Sequence, residues 1–156
     1  MQLIVAAIGH RMPGWVQQAW SEYAKRLPRP YSLELREIPL LKRSRNADIE
    51  SLRRRESDAL ISSVPEGFRI IALDEGGKQW STMELAAQME NWMREERGVC
   101  FLIGGPDGLS SQCREQAHHS WSLGKLTLPH PMVRAILAEQ LYRAWTVTQN
   151  HPYHRT

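Results

Sequence analysis

Leu102 to Ser110 reads LIGGPDGLS, with glycines at 104, 105 and 108 around a proline and an aspartate at the end of an apolar run. Missing side chains let a ligand lie against peptide groups, whose open amides and carbonyls can read a purine or a carboxylate. The same spacing suits a tight strand-to-helix turn that needs positive φ. It is no Walker loop, which ends in Lys followed by Ser or Thr, and no dinucleotide fingerprint, which needs G-x-G-x-x-G opening a helix. A second candidate is Leu123 to Leu128, LGKLTL, joined to Pro129, His130 and Pro131. Apolar with one lysine, it suits a buried strand, or a wall that meets an apolar ligand with main-chain polar groups.

Glu139 and Arg143 have i,i+4 spacing on the final helical stretch, which by itself describes a helix-surface ion pair. The ending NHPYHRT packs Asn150, His151, Tyr153, His154 and Arg155 together. Such an end commonly frays, and mobility is expected of it in the free protein. Its aromatic, imidazole and guanidinium groups also suit stacking on unpaired bases and contact with phosphate. Lys42, Arg43 and Arg45, and the triplet Arg53, Arg54 and Arg55, form either further phosphate contacts or a solvated face. Cys100 and Cys113 flank the glycine loop and are expected to be reduced thiols. With His118 and His119 they lack the paired spacing of a zinc module, and no metal is expected.

The elements that must position these groups follow from periodicity. QLIVAAI, Gln2 to Ile8, is a strand buried on both faces, and Trp15 to Leu27 is an amphipathic helix closed by prolines. Leu33 to Ile38 alternates apolar and polar residues, as a strand nearer an edge does. A helix from about Asp48 to Val64 precedes the buried strand Phe68 to Leu73, after which Asp74 to Gly77 reads as a second glycine-bearing loop. Ser81 and Glu84 have capping-box spacing ahead of a helix to about Glu96. Val99 to Ile103 is the strand that delivers the glycine loop. A short helix from about Ser111 to His119, a strand within Leu123 to Leu128, and a helix from about Met132 to Thr148 complete the chain. Alternating strands and helices imply an α/β fold, a mostly parallel sheet with helices on both faces, whose ligand sits beyond the carboxyl ends of the strands.

A chain of 156 residues fits one domain spanning 1–156. It contains no run near the roughly 20 apolar residues a membrane span needs, and Met1 to Ile8 does not read as a leader, so a soluble, cytoplasmic protein is expected. The formal charge of +3 and sequence pI of about 9.1 permit a polyanionic partner without demanding one.

Taken together, IGGPDGLS, SWSLGKLTLPHPMVRAILAEQLYRAW and NHPYHR resemble the RlmH family of SPOUT-class RNA methyltransferases. IGHRMPGWV and KRSRNADI extend the resemblance to nearly the whole chain. The resemblance implies an S-adenosylmethionine-dependent enzyme, without a metal, that methylates N3 of a pseudouridine in 23S rRNA of the assembled ribosome. It implies a homodimer and a trefoil knot in the carboxyl-terminal half. Carried over by position, the cofactor contacts fall on Leu73, Gly104, Leu123, Gly124, Lys125, Leu126, Thr127 and Leu128. Lys125 departs from the small or uncharged residue expected there, which leaves the contact to main chain. For that reaction we expect Glu139 and Arg143 at the substrate edge, with Tyr153, His154 and Arg155 positioning the flipped base or its phosphates; either Glu139 or His154 is a candidate to take the N3 proton. The rival expectations are a noncatalytic ribosome-binding module and a SPOUT enzyme acting on tRNA.

Overall fold

The computed structural model describes residues 1–155, and it builds one sheet of five strands in the order β2-β1-β4-β3-β5. In chain order the elements are β1 (Gln2–Ile8), α1 (Gly14–Arg26), β2 (Ser32–Ile38), α2 (Ile49–Ser62), β3 (Arg69–Gln79), α3 (Thr82–Glu95), β4 (Gly98–Ile103), α4 (Ser111–Gln116), β5 (His119–Ser122) and α5 (His130–Thr148). A turn of 3-10 helix, Pro152–His154, follows α5. All four neighbouring pairs run parallel, and β2 is an edge strand, as its alternation implies.

Period-2 geometry sends alternate residues of the central strands to opposite faces, so a strand covered on both sides is apolar throughout. Leu3, Val5 and Ala7 of β1 pack with Trp20 of α1, Met89 and Trp92 of α3, and Leu137 and Leu141 of α5. Ile4, Ala6 and Ile8 point the other way, toward Leu60 of α2 and Cys113 of α4. Each large side chain so buried stabilises the fold by about 1.5–3 kcal/mol. Helix starts follow local chemistry: Asp48 accepts from the Ser51 amide at the start of α2, and Ser81 and Glu84 form both bonds of the capping box that opens α3.

Three expectations are corrected. Asp74 to Gly77 is not a loop; β3 continues through it to Gln79, with a register shift in which Trp121 faces both Leu73 and Lys78. A Cβ on Gly77 would lie 2.6 Å from the Ser120 carbonyl carbon, so the missing side chain lets the two strands close rather than freeing a turn. Nor does the fifth strand fall within Leu123 to Leu128; it is His119–Ser122. The Ser122 hydroxyl accepts from the Gly124 amide at 3.2 Å and donates to the Gly124 carbonyl at 2.9 Å, and Gly124 has a φ of +153°, so the chain turns away where apolar composition suggested a strand. The start of β5 also cuts the short helix back from His119 to Gln116.

Candidate active site

At the carboxyl ends of β3, β4 and β5, where β4 steps inside β3 and β5 steps outside it, lies a cavity of about 480 Å³. That is the size of a small-molecule site, in the position open α/β sheets give their ligands. Its first wall is the turn after β4. Gly108 donates to the Gly105 carbonyl at 3.0 Å and has a φ of +74°. A Cβ on Gly104 would meet the Gly108 carbonyl carbon at 2.7 Å, so this glycine is required by close backbone approach. The tight-turn reading of the loop holds, and that turn forms one wall of the cavity.

The second wall is Leu73, Asp74 and Glu75 on β3, and the third is the run after β5. Leu73, Gly104, Leu123, Gly124, Leu126, Thr127 and Leu128 all border the cavity. Lys125 does not, and it is exposed. The helical end of the site is formed by His130 and Val133 of α5.

Two polar networks brace these walls. Arg43, on the loop after β2, donates both guanidinium arms to Glu56 at 2.5 and 2.8 Å and reaches Asp107 at 2.9 Å. Glu56 is 2% exposed and also accepts from the Leu41 amide at 2.9 Å. The two carboxylates hold the Arg43 guanidinium well above its ordinary pKa, so it is a permanent cation. Arg134, 1% exposed, donates to Glu37 at 2.7 Å, to the Gly9 carbonyl at 2.8 Å and to His130 Nε2 at 3.3 Å. Burial, then the Arg134 charge, push the His130 pKa down, against a main-chain hydrogen bond with Gly104 that raises it. The imidazole is therefore neutral near pH 7, an acceptor toward Arg134 and a brace against the glycine loop.

Sequence reasoning missed both braces as parts of the site. The available signals were one arginine within an apolar helix face four residues after His130, and the aspartate inside GGPDG. At Arg43 neither the phosphate contact nor the solvated face describes the side chain, which is largely buried and paired with Glu56 and Asp107. Arg53 is likewise engaged, by Glu50 and by the Asp107 carbonyl.

Glu139, Arg143 and Tyr153 do come together, away from the cavity. Arg143 donates to Glu139 Oε1 at 2.5 and 2.8 Å, and Tyr153 donates its hydroxyl to the same oxygen at 3.0 Å. The Arg143 guanidinium lies 5.0 Å from the Tyr153 ring centroid, and Tyr153 meets Tyr142 edge-on at 4.7 Å. Burial, then hydrogen bonds with Tyr23 and Glu139, push the Tyr153 phenol above its ordinary pKa. Tyr153 is thus packed against α5. His154 buries an Nδ1 with no hydrogen-bond partner among the described residues, and Arg155 is exposed. Arg143 lies ten residues beyond Val133 on α5, about 15 Å along a helix rising about 1.5 Å per residue, and none of Glu139, Arg143 and Tyr153 lines the cavity.

A family model described as "Predicted SPOUT methyltransferase" matches residues 1–154. Proteins named ribosomal RNA large subunit methyltransferase H from a Marinomonas species and from Methylococcus capsulatus are 51% and 53% identical, each over 99% of this chain and 100% of its own length. The protein of that name from Hahella chejuensis is 51% identical over 99% of both chains. The chain belongs to the RlmH family of SPOUT methyltransferases. In this RlmH-family chain the segments that carried the resemblance, IGGPDGLS and LGKLTL, are two of the three walls of the cavity. No helix among the described residues is long and apolar enough to cross a membrane.

Proposed function

We propose that this chain methylates N3 of a pseudouridine in 23S rRNA of the assembled ribosome, in the cytoplasm, with S-adenosylmethionine as donor and as a homodimer. The observation that carries the reading is that Leu73, Gly104 and Thr127, from three separated segments, share one cavity of about 480 Å³. The relatives' names support the substrate class. The reading takes residues 1–156 as one catalytic domain with the family's trefoil crossing at its carboxyl-terminal half.

The cavity fits the donor by size and by lining. Leucines 73, 123, 126 and 128 offer apolar surface, Gly104 and Gly124 offer main chain free of side chains, and Asp74 and Glu75 offer negative charge to a cationic sulfonium. When bound, S-adenosylmethionine supplies an electrophilic methyl group. The chain's task is then to align the imide nitrogen and remove its proton, and positioning is the larger of these contributions: effective molarities reach about 10⁵–10⁸ M, against about 10²–10⁴-fold for general-base help.

The separation of Arg143 from the cavity along α5 supports the homodimer, in which the Glu139, Arg143 and Tyr153 cluster of one protomer faces the cavity of its partner. Within the chain Glu139 already accepts from Arg143, Tyr153 and Gln140, so its part is to hold Arg143 and Tyr153 toward the base. His154 is the candidate for the proton once RNA docks and its ring turns outward, since its Nδ1 is buried without a partner among the described residues, and the exposed Arg155 is the candidate for a phosphate.

The test is mass spectrometry of rRNA from a deletion strain, complemented with the wild-type chain or with Arg143→Ala. Loss of one N3-methylpseudouridine on deletion, restored by wild type and at most weakly by Arg143→Ala, is expected. Unchanged methylation after deletion rejects the reading.

A further inference from the structure

The carboxyl-terminal edge of the sheet continues past the cavity to β1 and β2, and charge along that stretch is unbalanced. The loops that leave these strands lie against the glycine wall. A Cβ on Gly105 would touch Ile8 Cγ2 at 3.1 Å, Gly9 donates to the Ile38 carbonyl at 2.7 Å, and Arg43 reaches Asp107. Most carboxylates here are engaged within the chain: Glu37 by Arg134, Glu56 and Asp107 by Arg43, Glu50 by Arg53, and the exposed Asp48 as the cap that accepts from the Ser51 amide. Arg11 on the first loop and Lys42 and Arg45 on the second are left exposed, with no carboxylate in salt-bridge reach among the described residues. Arg11 also holds a φ of +55°, a left-handed conformation that costs a non-glycine residue energy and that clusters at functional sites.

We infer that Arg11, Lys42 and Arg45 form the surface that takes the phosphate backbone of the RNA strand flanking the target base. The inference rests on the proposed rRNA reaction and adds where that RNA lies. Uncompensated cations on two loops braced against the cofactor wall can hold a polyanion beside the cavity, and Arg43 serves as the internal anchor that keeps Lys42 and Arg45 in place. Phosphate contacts of this kind fix register and carry the salt dependence of binding. Each lost contact lowers the slope of log affinity against log salt by about 0.7 on a single strand and about 0.9 on B-form DNA, which brackets the range expected here.

The experiment measures binding of the full-length protein to assembled ribosomes across salt, for wild type, Lys42→Gln/Arg45→Gln, Arg11→Gln, and the equal-charge control Arg94→Gln/Arg97→Gln, which lies at the end of α3 and just before β4, at the opposite edge. A slope shallower by about 1.4–1.8 for the Lys42/Arg45 pair and by about 0.7–0.9 for Arg11, with the control unchanged, is expected. Calorimetric affinity for S-adenosylmethionine stays within twofold of wild type in each variant. A Lys42/Arg45 slope equal to wild type overturns the inference while leaving the methyltransferase reading intact. Weaker binding with an unchanged slope assigns these residues to a protein contact and overturns it too. Absence of any binding by the wild-type chain removes both.

Discussion

The Arg43 brace offers the sharpest energetic test, since one side chain closes two carboxylates from different parts of the chain. Arg43→Met keeps much of the side-chain volume and removes the charge. It leaves Glu56, 2% exposed, with the Leu41 amide as its remaining partner. Breaking a buried ion pair from one side costs about 3–5 kcal/mol, because the abandoned charge stays out of water. The Arg43 side chain is 21% exposed, so water enters the vacated place, and the lower end, about 3 kcal/mol, applies. For a chain of this size each kcal/mol moves the melting temperature by about 2–4 °C, which gives a fall of about 6–12 °C. Adding Glu56→Gln removes the stranded charge and keeps a group to meet the Leu41 amide, so the double variant recovers at least half of the loss. Asp107→Asn, whose site is 30% exposed, costs about 1 kcal/mol or less. Calorimetric melts of the four proteins at pH 7 decide the matter. An Arg43→Met melting temperature within 2 °C of wild type, or a double variant no more stable than the single, refutes the assignment of Arg43 and Glu56 as a buried pair.

The other expectations concern the cavity and the thiols. Gly104→Ala puts a Cβ 2.7 Å from the Gly108 carbonyl carbon and is expected to weaken S-adenosylmethionine binding by about 100-fold or more by calorimetry, whereas Gly108→Ala meets nothing within 4 Å and carries only the left-handed strain of about 1–2 kcal/mol. Because the folded pKa of His130 is depressed, the stability it contributes is present above its unfolded value near about 6.5 and is lost as pH falls through the folded value; donor affinity should therefore decline on acidification below about pH 6, and His130→Asn should flatten that decline. Burial pushes the Cys100 thiol up to about 12 and Cys113 up to about 11, so both should resist a thiol reagent at pH 8 until the protein is unfolded. With folded values above the unfolded value of about 8.5, their contribution to stability is intact below that pH and is lost as pH rises through about 11 and 12, visible as a falling denaturation midpoint in alkali.

The parallel sheet was legible because β1 and β4 are continuous apolar runs, the mark of strands covered on both faces, and because α3 announces itself with Ser81 and Glu84. β5 was not: HSWS is short and polar, and it is a strand because Leu73 and its neighbours on β3 supply the ladder. LGKLTL has the composition of a strand, yet Gly124 and the Ser122 hydroxyl turn it into a cavity wall, where apolar residues border a hollow rather than a sheet neighbour. The resemblance pointed to Leu73, Gly104 and the run after β5, and the structure gathers them around one cavity. The braces behind them could not be placed this way, since Arg43 meets Glu56 and Asp107 only after α2 and the loop after β4 have packed. The Glu139 and Arg143 pair follows from helix spacing, but their distance from the cavity is a property of the folded chain.

The claim on which the function turns is that the hollow between Leu73, Gly104 and Thr127 holds the methyl donor. Titration of S-adenosylmethionine into the purified protein, with Gly104→Ala alongside and both checked for equal folding by circular dichroism, tests it most directly. Saturable binding by the wild-type chain that is lost in Gly104→Ala is the predicted result; binding of equal affinity in both proteins, or none in the wild type, contradicts it.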